Sequence, residues 1–245
     1  MTKIDEHKVI TRWAKAGVLF NVKPVKASPD PERLLLDTAR LCHANARLFT
    51  LAVAWLAVYG TYIARHRLKH LIIQELETQC RPVLGLIIDT AVAAGACREL
   101  RTATEPCEPA TEAGPLFNVD KENSVYAALV EQTATPLSRK WKRWIQPFEL
   151  QQDALRPATW ILNRNPQYRD RALRKGDLRC SIVEVLKRDT PDGFVSSESE
   201  LARLCSANRI AVRRAIDDLA IEGIHLRDTE PIDNRSTSLR LVMAA

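Results

Sequence analysis

At 245 residues the chain is long for one domain and comfortable for two, and its 46% hydrophobic and 27% charged residues are those of a globular protein rather than a disordered one. Its 8 glycines are too few for a collagen-like or linker-like chain. A formal net charge of +6 suits a nucleic-acid partner, provided the charge is concentrated on one region.

The opening MTKIDEHKVITRW has no basic-then-apolar signal pattern, and residues 1–29 read as a mixed, weakly patterned segment. A helix start is marked at Asp30, where Asp30 can cap, Pro31 suits the first turn and Glu32 complements the helix dipole. Asn45 can cap the next helix. There Leu48, Leu51, Ala52, Trp55, Tyr59 and Tyr62 recur at three- and four-residue spacing. The uncharged stretch Leu48–Ala64 is at the lower limit for a membrane span. It contains Thr50, Gly60 and Thr61 and reads as a buried core helix instead, so no membrane association is expected. Helix continues from Arg65 to Glu77, and Pro82 opens another through about Ala96. Residues 30–98 therefore read as an all-α module.

The run RTATEPCEPATEAGP lacks apolar periodicity, so residues 99–123 read as an acidic Pro/Glu linker or loop. Helix returns with SVYAALVEQ, and residues 124–164 read as a basic, Trp-containing helical connector. Between Arg139 and Arg188 there are 13 Lys/Arg against 5 Asp/Glu. That local excess is larger than the +6 of the whole chain, so the positive charge is concentrated. In SRKWKRW, Trp141 and Trp144 stand three apart and are expected to anchor one helix face. Arg139, Lys140, Lys142 and Arg143 stay wet as candidate phosphate contacts.

Residues 165–245 are legible residue by residue. Asn165 caps, Pro166 takes the first turn, and Gly176 stops the basic helix PQYRDRALRK, which offers Arg174 and Lys175 to phosphate. Asp177 caps LRCSIVEVLKR, with Leu178, Ile182, Val185 and Leu186 as one stripe. Phe194-Val195 is a short extended piece. Ser197-Glu198-Ser199-Glu200 has the capping-box spacing and opens a two-turn helix. A tight turn, Ser206-Ala207-Asn208, leads to a third helix from Arg209 to about Glu222, ended by Gly223. On it Val212, Ala215, Ile216 and Leu219 share one face. Ile210, Arg214 and Asp217 point the opposite way, with Arg213 on the flank. Such a helix-turn-helix lets its second helix enter a major groove about 12 Å wide. IHLRD and SLRLVM read as two strands of a β-hairpin wing, so the whole is a C-terminal winged helix.

FVSSESELARLCSANRIAVRRAIDDLAIEGI resembles the DNA-binding domain of GntR-type transcriptional regulators. The matching residues are Ser197, Glu198, Leu201 and Ala202, then Asn208 through Ile216, then Glu222 and Gly223. The resemblance implies that Arg209 and Arg213 touch bases or phosphates. The chain departs from the family in lacking a Gly-x-Gly-Thr-Phe wing tip and in carrying the domain last, so no effector site carries over to the N-terminal module.

Other constellations are weaker. His66 and His70 are spaced as a metal pair on a helix, but the residues between them are Arg-Leu-Lys and no Glu base accompanies them; they read as a basic face. The six cysteines form no C-x-x-C pair and read as reduced thiols of a cytoplasmic protein. No phosphate-cradling Gly loop or nucleophile elbow is present in the sequence. The expectation is therefore a mainly α, non-enzymatic protein without cofactor or metal that binds double-stranded DNA as a sequence-specific transcriptional regulator. Arg209, Ile210, Arg213 and Arg214 face the groove. Ser197, Asn208 and the wing residue Arg235 are candidate phosphate contacts. Self-association as a homodimer, or binding of a protein partner, is expected through residues 30–98. Two other roles fit the same features: the antitoxin and autorepressor of a toxin-antitoxin or phage-defence operon, and a replication or partition protein of a plasmid or mobile element.

Overall fold

The computed structural model describes residues 4–118, 124–226 and 238–240. The protein is mainly α-helical. Helix α1 (Glu6–Lys15) starts at Asp5, whose carboxylate accepts from the His7 amide. Helix α2 (Pro31–Leu41) is capped by Asp30 and α3 (Ala46–Tyr59) by Asn45, as their spacing suggests. Helices α4 (Arg65–Glu75) and α5 (Arg81–Ala93) follow. Helix α3 ends in a 3-10 turn at residues 60–62, so the uncharged stretch is not one continuous helix. Among the described residues no helix is long and apolar enough to cross a membrane.

Three sequence expectations change in this half. The weakly patterned opening holds a helix: α1 buries Val9, Trp13 and Ala14, and the Trp13 indole donates to Thr38 at 2.9 Å. Its apolar positions are few and interrupted by charge, but one of them is a tryptophan, and burial of an indole is enough to dock a short helix. Of the linker or loop expected over 99–123, the described part is a loop packed on the core. A 3-10 helix spans Arg98–Thr104; Leu100, Ala103, Cys107 and Ala110 are buried at three- and four-residue spacing, and Leu116 is buried beyond them. Strand β1 (Gly114–Pro115) is followed, past α6 (Ser124–Thr133) and α7 (Pro136–Lys140), by β2 (Arg143–Trp144), which pairs with β1 in parallel. Trp141 and Trp144 therefore do not share a helix face. The chain leaves α7 at Trp141, takes a positive φ of 53° at Lys142, and continues extended. Trp141 is buried against Gly85, where a Cβ would lie 2.4 Å from the ring, and donates to Asp89 at 2.9 Å.

Helix α8 (Ala158–Arg164) and α9 (Gln167–Arg174) close this first core, which runs from Val9 to Tyr168 across the segment boundaries drawn from composition. Asn165 does not cap α9 as expected. Its amide instead donates back to the carbonyls of Lys15 and Ile161, and its Oδ1 is buried without a partner. The faces of α3 and α5 that were expected to seek a partner lie inside this core. Leu48, Leu51, Trp55, Leu84 and Ile87 are buried in one core with α1 and with segments after residue 98 that the sequence read as a linker or loop and a helical connector. Much of the apolar surface on which a partner through residues 30–98 was expected is therefore covered within the chain, while Val58 and Ile73 stay exposed.

A second core follows. Helix α10 (Leu178–Arg188) is capped by Asp177, and strand β3 (Phe194–Val195) leads to α11 (Glu198–Leu204) and α12 (Arg209–Ile221). Ile182, Val185 and Leu186 meet Val195, Leu201, Val212, Ile216 and Leu219 there. Strand β4 (Leu239–Arg240) pairs antiparallel with β3, and the Arg240 amide donates to the Leu226 carbonyl at 2.8 Å. The expected wing tip, with Arg235, lies outside the described residues.

Buried charge joins the two cores. Glu32 of α2, Arg67 of α4 and Arg171 of α9 are fully buried. Arg67 reaches Glu32 at 2.6 Å, Asp30 at 2.7 Å and Asp189, at the end of α10, at 2.6 Å. Arg171 reaches Glu32 at 2.6 Å and also pairs with Glu184 of α10, which Arg188 holds at 2.7 Å. The Glu32 carboxylate also accepts from the Ala64 amide at 2.7 Å. Charges this deep are tolerated because opposite charges and hydrogen bonds satisfy nearly all of their polar atoms, the Arg171 Nε being left without a partner.

Acid should loosen this junction. Burial pushes the Asp30 and Glu184 carboxyls up, but Arg67 for the first and Arg171 and Arg188 for the second outweigh it and hold both below their ordinary values of 3.8 and 4.5. The unfolded chain therefore takes up these protons first. The stability they contribute is present above those ordinary values and is lost as pH falls through the depressed ones. Burial pushes Glu32 up, and this carboxyl opposes the trend. Urea midpoints should fall between pH 5 and pH 3, and fall less steeply in Arg67→Met; parallel profiles for the two proteins would remove the network as the cause.

Candidate nucleic-acid interface

The candidate surface is built from local rules. Ser197 accepts from the Glu200 amide at 3.2 Å and starts α11. The reciprocal bond closes on the residue before the cap: the Glu200 carboxylate accepts from the Ser196 amide at 2.8 Å and from its hydroxyl at 2.7 Å. The turn between α11 and α12 passes through Ser206 with φ 46°, and Asn208 then accepts from the Ala211 amide at 2.7 Å. Ser197 and Asn208 thus have cap duties that fix the angle between the two helices.

Helix α12 divides as its periodicity suggests. Val212, Ala215, Ile216 and Leu219 are buried, while Arg209, Ile210, Arg213 and Arg214 are exposed. The structure brings those four side chains to one surface. Ile210 is 68% exposed, an unusual place for a large aliphatic side chain between arginines.

One residue of this surface was named in the sequence as part of the capping and GntR-type pattern but not as a site residue. Glu198, nearly buried at the start of α11, accepts from Arg213 at 2.8 and 3.2 Å and from Arg209 at 3.3 Å. The Arg213 hydrogen bonds hold its carboxyl below the ordinary value against the effect of burial, with help from Arg209. The acidic side chain thus gathers two arginines that lie one helical turn apart. Two sequence signals touched it, a Glu in the first turn of α11, which dipole arguments explain equally well, and its place in the GntR-type motif, but neither announced the arginine contacts.

The other candidate phosphate contacts have mixed fates. Arg174 pairs with Glu222, just beyond the end of α12, at 2.9 Å, and Arg179 joins the same carboxylate at 2.7 Å. Lys175 is exposed, with a left-handed φ of 48°. Gly176 after it, with φ 64°, sits so close to α4 that a Cβ would lie 2.0 Å from the Ile63 carbonyl. Arg139 donates to the Gln132 and Ala134 carbonyls at the end of α6. Lys140 pairs with Asp89 at 2.6 Å and lies over the Trp141 ring. Lys142 and Arg143 donate to the Thr111 and Glu112 carbonyls. These four help hold the 110–114 segment and α7 in place; Lys140 is ion-paired, while Arg139, Lys142 and Arg143 bond only neutral carbonyls and keep their charge.

Metal and thiol chemistry find little support in the geometry. Among the described residues no group of three or more His, Cys, Asp or Glu side chains is placed to hold a metal. His70 is buried beside the backbone of Arg203, and burial pushes both His66 and His70 down. All six cysteines are free, and burial raises the Cys42, Cys107 and Cys180 thiols to about 12, which keeps them protonated and unreactive. Comparison with known proteins returns no family model, no characterised protein and no solved structure that matches the chain.

Proposed function

We propose that the chain is a sequence-specific, double-stranded DNA-binding regulator whose residues 165–245 form a winged helix, with α12 as the helix that enters the major groove. The observation that carries this reading is the division of α12. Four side chains lock it to α10 and α11, and three arginines and an isoleucine are exposed on the other side, Arg209 and Arg213 gathered there by Glu198. Arginine is the side chain best suited to fork onto guanine, and an exposed isoleucine beside it suits a thymine methyl. The β3–β4 pairing and the Arg240–Leu226 bond support a wing folded against the same core. The resemblance of residues 194–224 to GntR-type domains supports the same docking geometry.

The reading predicts that the full chain retards selected genomic duplex fragments and discriminates them from unrelated DNA. Arg213→Ala should weaken binding to a selected site about tenfold or more. The triple variant Arg209→Ala, Arg213→Ala, Arg214→Ala should abolish discrimination. Equal discrimination by wild type and triple variant in mobility-shift titrations would reject α12 as the reading helix.

A further inference from the structure

A second basic surface lies on the first core. The chain segments around Gly17 and Leu155 form a short antiparallel bridge: Val18 pairs with Leu155, the Leu19 amide donates to Ala154 at 2.8 Å, and the Arg156 amide donates to Gly17 at 2.7 Å. Tyr59 fixes the same strand from below, donating to the Arg156 carbonyl at 2.7 Å. Gly17, with φ 100°, seats the bridge against α8, where a Cβ would lie 2.6 Å from Ile161. The platform is therefore rigid.

Three exposed arginines ride on it, each held by an aromatic ring. The Arg156 and Arg164 guanidiniums lie 5.6 and 5.5 Å from the centroid of Trp160, and Arg47 lies 5.2 Å from that of Phe20. Arg47 also donates to the Leu19 carbonyl at 3.1 Å. Among the described residues none of the three makes an ion pair with a carboxylate; Arg12, Arg33, Arg40 and Arg67 on the same core all do. The adjoining stretch from Lys15 to Pro29 adds Lys15, Lys23 and Lys26 and contains no Asp or Glu. A ring face orders a guanidinium without neutralising it, and its N–H edges stay free for an anion. Ordering the side chains in advance also lowers the entropy lost on binding.

We propose that this surface, built by Arg47, Arg156 and Arg164 with the lysines of residues 15–26, is a second nucleic-acid contact that grips the phosphodiester backbone of a duplex independently of sequence. It does not depend on α12 reading bases. Trp160 serves as the shelf for two guanidiniums rather than as a base-stacking platform.

The test uses the full chain and a 24-base-pair duplex of arbitrary sequence, followed by anisotropy from 50 to 250 mM salt. The variant Arg47→Gln, Arg156→Gln, Arg164→Gln should lose about 2.7 from the log–log salt slope, at about 0.9 for each phosphate contact. Its thermal midpoint should stay at the wild-type value, because these side chains are exposed. The α12 triple variant should keep this part of the slope, and the platform variant should keep any sequence discrimination, so the two surfaces are read separately. An unchanged slope in a folded platform variant overturns the proposal. So does tighter binding of the wild type to vesicles containing phosphatidylserine than to the duplex, which would assign the surface to a membrane.

Discussion

Arg67→Met should cost about 3–5 kcal/mol of stability, the usual consequence of removing one partner from a buried ionic cluster. The methionine fills similar volume, so the loss is electrostatic. Arg67 is the shared partner of Asp30, Glu32 and Asp189, and without it Glu32 keeps only Arg171, while Asp30 and Asp189 keep only the half-exposed Arg33. A loss of this size is a large fraction of a typical folding free energy of about 5–15 kcal/mol. Pairing the change with Asp189→Asn should recover part of it, since one of the stranded charges is then gone. Urea denaturation followed by circular dichroism measures both proteins. A loss below about 1 kcal/mol would mean that water reaches the cluster and screens it.

Ile216→Ala should cost about 2–5 kcal/mol within the second core. Ile216 is buried at the centre of the face that α12 presents to α10 and α11. All five tryptophans precede residue 165, so indole fluorescence reports on the first core alone, whereas circular dichroism sees both. In the variant the dichroism midpoint should fall below the fluorescence midpoint, as the second core melts before the first. Coincident midpoints would show that the ionic junction couples the two cores into one cooperative unit.

The features that could be read from sequence are those whose cause is local. The caps at Asp30, Asn45, Asp177, Ser197 and Asn208, and the stripes of α10 and α12, depend on residues within one or two turns. The exposed arginines of α12 follow from the same arithmetic. Features set by distant partners were not readable. Glu32 meets Arg67 across 35 positions and Arg171 across 139, and no periodicity announces such pairs. Glu198 meets Arg213 across 15 positions, over a turn whose angle must be known first. The packing of the stretch after Arg98 was not readable because prolines and glutamates masked a real spacing, Leu100, Ala103, Cys107 and Ala110, made mostly of small residues. The basic excess between Arg139 and Arg188 was visible as composition, but which charges are engaged depends on the fold. Arg171 and Arg188 are ion-paired inside the junction, while Arg156 and Arg164 remain available at the surface.

The closure of the first core has a consequence for synthesis of the chain. Helix α1 and the loop before α2 are held by Asn165, Tyr168 and Arg171, through bonds to the Lys15 carbonyl, the Pro29 carbonyl and the Glu32 carboxylate. A nascent chain emerges N-terminus first, so its earliest helix waits for contacts made by residues some 140–150 positions later. Until α9 leaves the ribosome, Glu32 lacks Arg171 and the apolar side of α1 lacks part of its cover. The two ends of this core thus depend on each other, and a chain cut short before Arg171 leaves the buried Glu32 without one of its two arginines.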